Sequence, residues 1–232
     1  MKTIGIIGGM SWESTRTYYE LINTQVKQQL GGLHSAKIAL ISVDFAQVEA
    51  MQAQGDWQSA TQLLIDSANK LAAAGADFFL IATNTMHKVA EKVQEASPIE
   101  LLHIAEATGE ALVHDQRQCV ALLGTRFTME EDFYKKRLSQ KFGLDVMVPS
   151  SEQREVIHRV IYDELCVGKV LDESRQRYKA IIASMVGQGA DSVVLGCTEI
   201  PLLIDSSHVE APVYDTTAIH AKAAVRMALL NN

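Results

Sequence analysis

Short runs of apolar, often β-branched residues alternate along this chain with longer stretches whose apolar positions recur at helical spacing. The short runs predict strands near residues 3–7, 38–43, 78–82, 101–103, 119–123, 145–148, 192–195 and 213–214. The longer stretches predict helices over 14–29, 56–74, 88–96, 130–141, 151–165 and 172–188. Alternation of this kind predicts an α/β fold, with mostly parallel sheets covered by helices on both faces. Sheets of that type hold ligands beyond the carboxyl ends of their strands.

A weak internal repeat lies over this pattern. Thr3–Met10 resembles Cys119–Thr125 with Gly8 matching Gly124, and Phe79–Thr85 resembles Val193–Thr198 with Thr85 matching Thr198. Ala74–Asp77 pairs likewise with Gln188–Asp191, Gly75 matching Gly189. All three pairs share nearly one offset, close to half the chain. The repeat predicts two pseudo-symmetric lobes, each a mostly parallel sheet flanked by helices, with an active site in the cleft between them. The first lobe is expected over 1–103 plus 213–232, the chain from Val213 returning to it as a last strand and helix. The second lobe is expected over 104–212.

Composition narrows the classes of function. Of 232 residues, 47% are hydrophobic, 21% are charged and four are proline, so nothing marks the chain as disordered. The net charge is −7 and no lysine/arginine cluster stands out, which argues against a nucleic-acid partner. No stretch approaches the roughly 18 apolar residues of a membrane span. The apolar run after Met1 is too short for a signal peptide and leads into a strand. Three scattered cysteines form neither a CxxC nor a zinc pattern, so a reduced, cytoplasmic protein is expected. The seven histidines show no metal-binding spacing, and no metal is expected. Glycines at 5, 8 and 9 do not match the dinucleotide fingerprint and instead suit a tight turn that lets something small approach the backbone.

The chemistry concentrates at strand ends. Cys197 follows the apolar run from Ser192, and Thr198, Glu199 and Pro201 then read as the opening of a helix. A thiol at a helix N-terminus is shifted towards thiolate, which marks Cys197 as a candidate base. Cys119 and Cys166 read as ordinary core or surface positions. Thr83–His87 forms the matching turn in the first half, where Asn84 or Thr85 would serve as an ordinary N-cap. Two such turns, each offering free backbone N–H groups, suit a carboxylate. Thr125 and Thr128, after the run ending at Leu123, add hydroxyl donors. His87 and Glu199 read as residues that orient the active groups.

Four segments together resemble the aspartate/glutamate/hydantoin racemase superfamily, and most closely its aspartate racemase branch: Ile6-Ile-Gly-Gly-Met-Ser-Trp-Glu-Ser-Thr15, Asn84-Thr-Met-His87, Leu123-Gly-Thr125 and Leu195-Gly-Cys-Thr-Glu-Ile-Pro201. The resemblance implies racemisation by two bases on opposite faces of the α-carbon, with no pyridoxal phosphate, metal or other cofactor. It also implies a small amino-acid substrate and a homodimer. Carried over by position, Cys197 is one acid/base. Asn84, Thr85 and Thr198 bind the α-carboxylate and amino group, and Met10 and Gln52 line the cleft.

Two departures from the family stand out. Relatives carry a first cysteine where this chain has Thr83, and an alcohol is a far weaker acid than a thiol of pKa about 8.5. Thr83 as second acid implies catalysis that is lopsided between enantiomers, with the L-form the better substrate. The segment Val43–Gln52 lacks the arginine that aspartate racemases commonly place there, and Cys166 stands where relatives often have lysine. Lys169 is a possible substitute. Aspartate and glutamate are the expected substrates, with broad specificity for neutral or hydroxylated amino acids such as homoserine as the alternative. A maleate-isomerase-like or decarboxylase chemistry, and a non-catalytic bilobed binding protein, are the rivals.

Overall fold

The alternation of apolar strands and amphipathic helices builds two four-stranded sheets in which every pairing is parallel. The computed structural model describes residues 1–230. The first sheet comprises β1 (Ile4–Gly8), β2 (Ile38–Ser42), β3 (Phe78–Ile81) and β4 (Glu100–Leu102), in the order β2-β1-β3-β4. The second comprises β5 (Cys119–Gly124), β6 (Asp145–Met147), β7 (Ser192–Gly196) and β8 (Val213–Asp215), in the order β6-β5-β7-β8. The second order reproduces the first strand for strand. Ile7 stands opposite Ile81, and Leu123 opposite Leu195. Two residues beyond those partners, Thr83 and Cys197 therefore occupy equivalent positions in the two sheets.

The helices of the first half are α1 (Trp12–Leu30), α2 (Phe45–Gln54), α3 (Trp57–Ala73), α4 (Ala90–Ala96) and α5 (Ile104–His114). Those of the second are α6 (Arg126–Glu130), α7 (Asp132–Phe142), α8 (Ser151–Arg159), α9 (Asp172–Gly187) and α10 (Thr216–Leu229). Helices α2, α5 and α6 go beyond the sequence expectation. Two of the predicted helices show clear end signals. Ser11 caps α1 by accepting from Ser14 N, and Gly31 closes it with a donor to the Lys27 carbonyl. Ser150 and Gln153 form a reciprocal capping box at α8. The pattern predicted over 151–165 does not run as one helix: after Arg159 it widens into a π turn (Val160–Glu164) and tightens into a 3-10 turn (Leu165–Val167).

Burial on both faces explains why the strands read as continuous apolar runs. In the first sheet, Ile4, Ile6, Phe78 and Leu80 belong to one core with Tyr18, Ile22 and Val26 of α1 and Ala221, Ala224 and Val225 of α10. Ile7, Phe79 and Ile81 belong to the opposite core with Leu64, Ala68 and Leu71 of α3. In the second sheet, Ala121, Leu123, Val193 and Leu195 join Ile157, Tyr178, Ile181 and Met185. The alternate residues Val120, Leu122 and Val194 are buried as well.

The chain divides into two compact units, Met1–Ile104 with the segment from His220 onward, and Ala105–Ile219. The strand at Val213 therefore corrects the expectation that it returns to the first lobe. Val193 pairs with Val213 and Leu195 with Asp215, so β8 completes the second sheet in the place that β4 holds in the first. Side chains fix it there. Thr216 Oγ1 donates to the Leu195 carbonyl at 2.8 Å, and the Tyr214 hydroxyl donates to Asp115 at 2.7 Å. The return to the first unit comes only at His220, within α10. Residues 231 and 232 of the expected segment lie outside the described residues.

Candidate active site

In the first unit, β1 ends in Gly8 and Gly9. A Cβ on Gly8 would strike the Thr15 side chain, and one on Gly9, whose φ is +90°, would strike the Val43 carbonyl. The Gly9 N–H donates to Thr15 Oγ1 at 2.7 Å, and that hydroxyl donates to the Ser11 carbonyl at 2.8 Å. The close approach expected here for a small ligand is thus made by the protein's own chain. Met10 is buried in the core that also holds Ile7, Val48 and Met86. Gln52, buried on α2, donates through Nε2 to Met86 Sδ at 3.1 Å. Met10 and Gln52 are thereby tied to the turn that carries Met86.

That turn begins where β3 ends. Ala82 N extends the pairing by donating to the Ile7 carbonyl at 2.9 Å, and Thr83 N turns back to the Ile81 carbonyl at 2.9 Å. A 3-10 turn (Thr85–Val89) follows, with Asn84 at its cap position. The Asn84 side chain makes no capping bond to this turn, so the N-cap explanation does not account for it. Asn84 and Thr85 are both buried, and Thr83 is partly exposed.

The second unit builds the equivalent turn differently. Thr125 follows β5 and caps the short α6, its hydroxyl 3.2 Å from Thr128 Oγ1. Gly124 pairs with Gly196, so Thr125 and Cys197 leave adjacent strands side by side. Cys197 is buried, and its thiol donates to Glu199 Oε2 at 3.0 Å. The Thr198 hydroxyl donates to the same oxygen at 2.8 Å.

Burial pushes the Cys197 thiol well above its usual range, and the Glu199 carboxylate and Cys166 push it further in the same direction. This reverses the expectation of a thiolate favoured by a helix dipole. After Cys197 the chain makes only a three-residue 3-10 turn (Ile200–Leu202), too short to carry an effective macrodipole. The resting group is a thiol with a carboxylate acceptor already bonded to it.

Sequence reasoning missed three neighbours of these turns. Tyr178, fully buried, donates to the Ile157 carbonyl at 3.1 Å and interacts electrostatically with Cys197. Met86 receives the Gln52 amide. His220 sits in a buried ring cluster with His87. An apolar residue inside a helical pattern gives no sign of such a role, though the Cys-Thr-Glu spacing at a strand end did signal Glu199. Among the described residues no group of His, Cys, Asp and Glu is arranged to hold a metal ion, and no helix is long and apolar enough to cross a membrane.

Comparison with known proteins agrees with this architecture. The family model described as Asp/Glu/Hydantoin racemase matches residues 7–224. The fold superposes on a Yersinia pestis candidate Asp/Glu racemase with a TM-score of 0.93 and 51% identity, covering 99% of this chain and 100% of that one. It also superposes on PH1733, an aspartate racemase homologue from Pyrococcus horikoshii, with a TM-score of 0.84 and 33% identity, covering 98% and 99%. The broad specificity amino-acid racemase RacX of Bacillus subtilis is 25% identical over 96% of each chain. The chain belongs to the Asp/Glu/hydantoin racemase family. It is an isomerase of the racemase type, and its fold is similar to that of an aspartate racemase homologue.

Proposed function

We propose that the protein racemises aspartate and glutamate without a cofactor, with Cys197 as the principal acid/base and Thr83 as the weaker second acid. The observation that carries this reading is the equivalence of Thr83 and Cys197 in two sheets of the same strand order. Racemisation needs one group to remove the α-proton and another to return one on the opposite face. A duplicated fold supplies two such positions.

The thiol first passes its proton along the existing hydrogen bond to Glu199, leaving a thiolate. The thiolate takes the α-proton of the L-amino acid, and the electron pair stays on the α-carbon, delocalised into the carboxylate. Thr83 donates its hydroxyl proton to the other face and recovers one from solvent, and Glu199 returns to solvent the proton it took from the thiol, so the site ends as it began. Asn84, Thr85, Thr125 and Thr198 bind the α-carboxylate and amino group, with Met10 and Gln52 lining the substrate side. Preorganised donors stabilise the growing negative charge. In the reverse direction Thr83 would have to act as base, and its alkoxide is far less accessible than a thiolate. Catalysis is therefore kinetically lopsided, with L-enantiomers faster, while the equilibrium between enantiomers is unchanged.

Formation of the D-enantiomer from L-aspartate, L-glutamate and L-homoserine by protein freed of metal and pyridoxal phosphate tests the substrate assignment. The acidic pair should lead. Homoserine leading would move the assignment to broad specificity, which the likeness to RacX also supports. The resemblance further supports a cytoplasmic homodimer, which sedimentation of the purified protein tests.

A further inference from the structure

In an α-helix, the Thr83 carbonyl would accept from the backbone N–H four residues on, that of His87. The turn here is 3-10, and the His87 N–H goes instead to the Asn84 carbonyl at 3.0 Å. Thr83 is thereby deprived of its helical donor. The His87 side chain supplies one: its Nδ1 lies 2.8 Å from the Thr83 carbonyl. Its other nitrogen, Nε2, accepts from the Ile104 N–H at 3.2 Å. A carbonyl can only accept and an N–H can only donate, so the two bonds together specify the Nδ1–H tautomer.

The ring is held from behind as well. His87 is buried, and its centroid lies 4.5 Å from that of His103 and 6.0 Å from that of His220. His220 is itself pinned by the Tyr18 hydroxyl at Nδ1 and the Leu102 carbonyl at Nε2, both at 2.9 Å. Strand ends β3 and β4 and helices α1 and α10 thus converge on one imidazole, whose proton points at the backbone of Thr83.

We propose that His87 is a positioning residue for Thr83, acting through the Thr83 carbonyl to fix the backbone that carries the hydroxyl. This rests on the reading of Thr83 as the second acid. If the hydroxyl is misplaced, Cys197 reprotonates the carbanion on the same face after trading the abstracted proton with solvent. Exchange continues while inversion fails.

The test compares wild type with His87→Asn, His87→Gln and His87→Phe in D2O. It measures loss of the α-proton of L-aspartate by proton NMR and appearance of D-aspartate by chiral chromatography. Asparagine places an amide donor where Nδ1 stands, whereas glutamine reaches only towards Nε2. The Gln and Phe variants should lose about tenfold in D-aspartate formed per exchange event, with the exchange rate itself held within about threefold. The Asn variant should retain the wild-type ratio. A parallel fall of exchange and inversion, or an unchanged ratio in His87→Gln, would overturn the proposal; His87→Gln carries the test if the Phe variant does not fold. Imidazole 15N shifts judge the clamp without turnover: a proton on Nδ1 of His87 at neutral pH upholds it, and one on Nε2 overturns it. Absence of exchange in wild type would instead count against the racemase reading, and the imidazole shifts would still decide the role of His87.

Discussion

The two strand-end turns occupy equivalent positions in duplicated sheets but differ in chemistry. At the turn after β3, a partly exposed alcohol is carried on backbone clamped by an imidazole. At the turn after β7, a buried thiol is bonded directly to a carboxylate. In one turn the ionisable neighbour bonds the backbone, and in the other it bonds the side-chain sulfur directly. Duplication supplies two matched positions, one holding an alcohol and the other a thiol, and under the proposed mechanism that difference makes Cys197 the stronger base. Burial raises the Cys197 pKa, while Glu199 stands bonded to the thiol as an acceptor for its proton.

The largest effect should come from removing the stronger side. Cys197→Ser should lower α-proton exchange with L-aspartate by at least about 10³-fold, read by proton NMR in D2O. Next is its acceptor. Glu199→Gln should reduce exchange by about 10²-fold, and the ascending, acid-side limb of the pH–rate profile should move to lower pH. The sign follows from charge: Glu199 raises the Cys197 pKa, so replacing the carboxylate by a neutral amide lowers it. A limb that moves up, or an unchanged rate, would break the assignment of Glu199.

Smaller still is the effect of equalising the turns. Thr83→Cys should raise deprotonation of D-aspartate by about tenfold relative to L-aspartate, bringing the initial rates with the two enantiomers closer together. An unchanged ratio would mean that the asymmetry lies elsewhere.

The smallest concerns stability of the first unit alone. Burial lowers the pKa of His220 to about 4, so the folded state excludes a proton that the unfolded chain binds below about 6.5. The stabilising contribution is fully present above the unfolded value and is lost as pH falls towards 4, amounting to about 3 kcal/mol at most. Hydrogen exchange of β1 and β3 amides at neutral and mildly acid pH reads it, and His220→Gln should flatten the dependence.

Much of this was legible in the sequence because burial on two faces writes an unmistakable pattern. All eight strands were placed, and the matched pairs Gly8 with Gly124 and Thr85 with Thr198 located both turns. Residues 213–215 misled because a final strand and helix read as one return to the first lobe. Backbone pairing to β7 keeps the strand in the second sheet, and only the chain from His220 crosses over. The thiol misled for a different reason: helix-start residues Thr198, Glu199 and Pro201 produced a 3-10 turn, with the glutamate folded back onto the sulfur. The imidazole clamp was invisible, since His87 acts on Thr83 only because the intervening turn is 3-10 rather than α. A difference of one residue in hydrogen-bond register carries no sequence signal.

The central claim, an inequality between two equivalent turns, is tested most directly by the α-proton exchange of L- and D-aspartate in D2O, followed with wild type and Cys197→Ser. Fast exchange of the L-form, slow exchange of the D-form and loss of the L-form exchange in the variant is the expected result. Equal kcat/KM for the two enantiomers, or exchange that survives without the thiol, would contradict it.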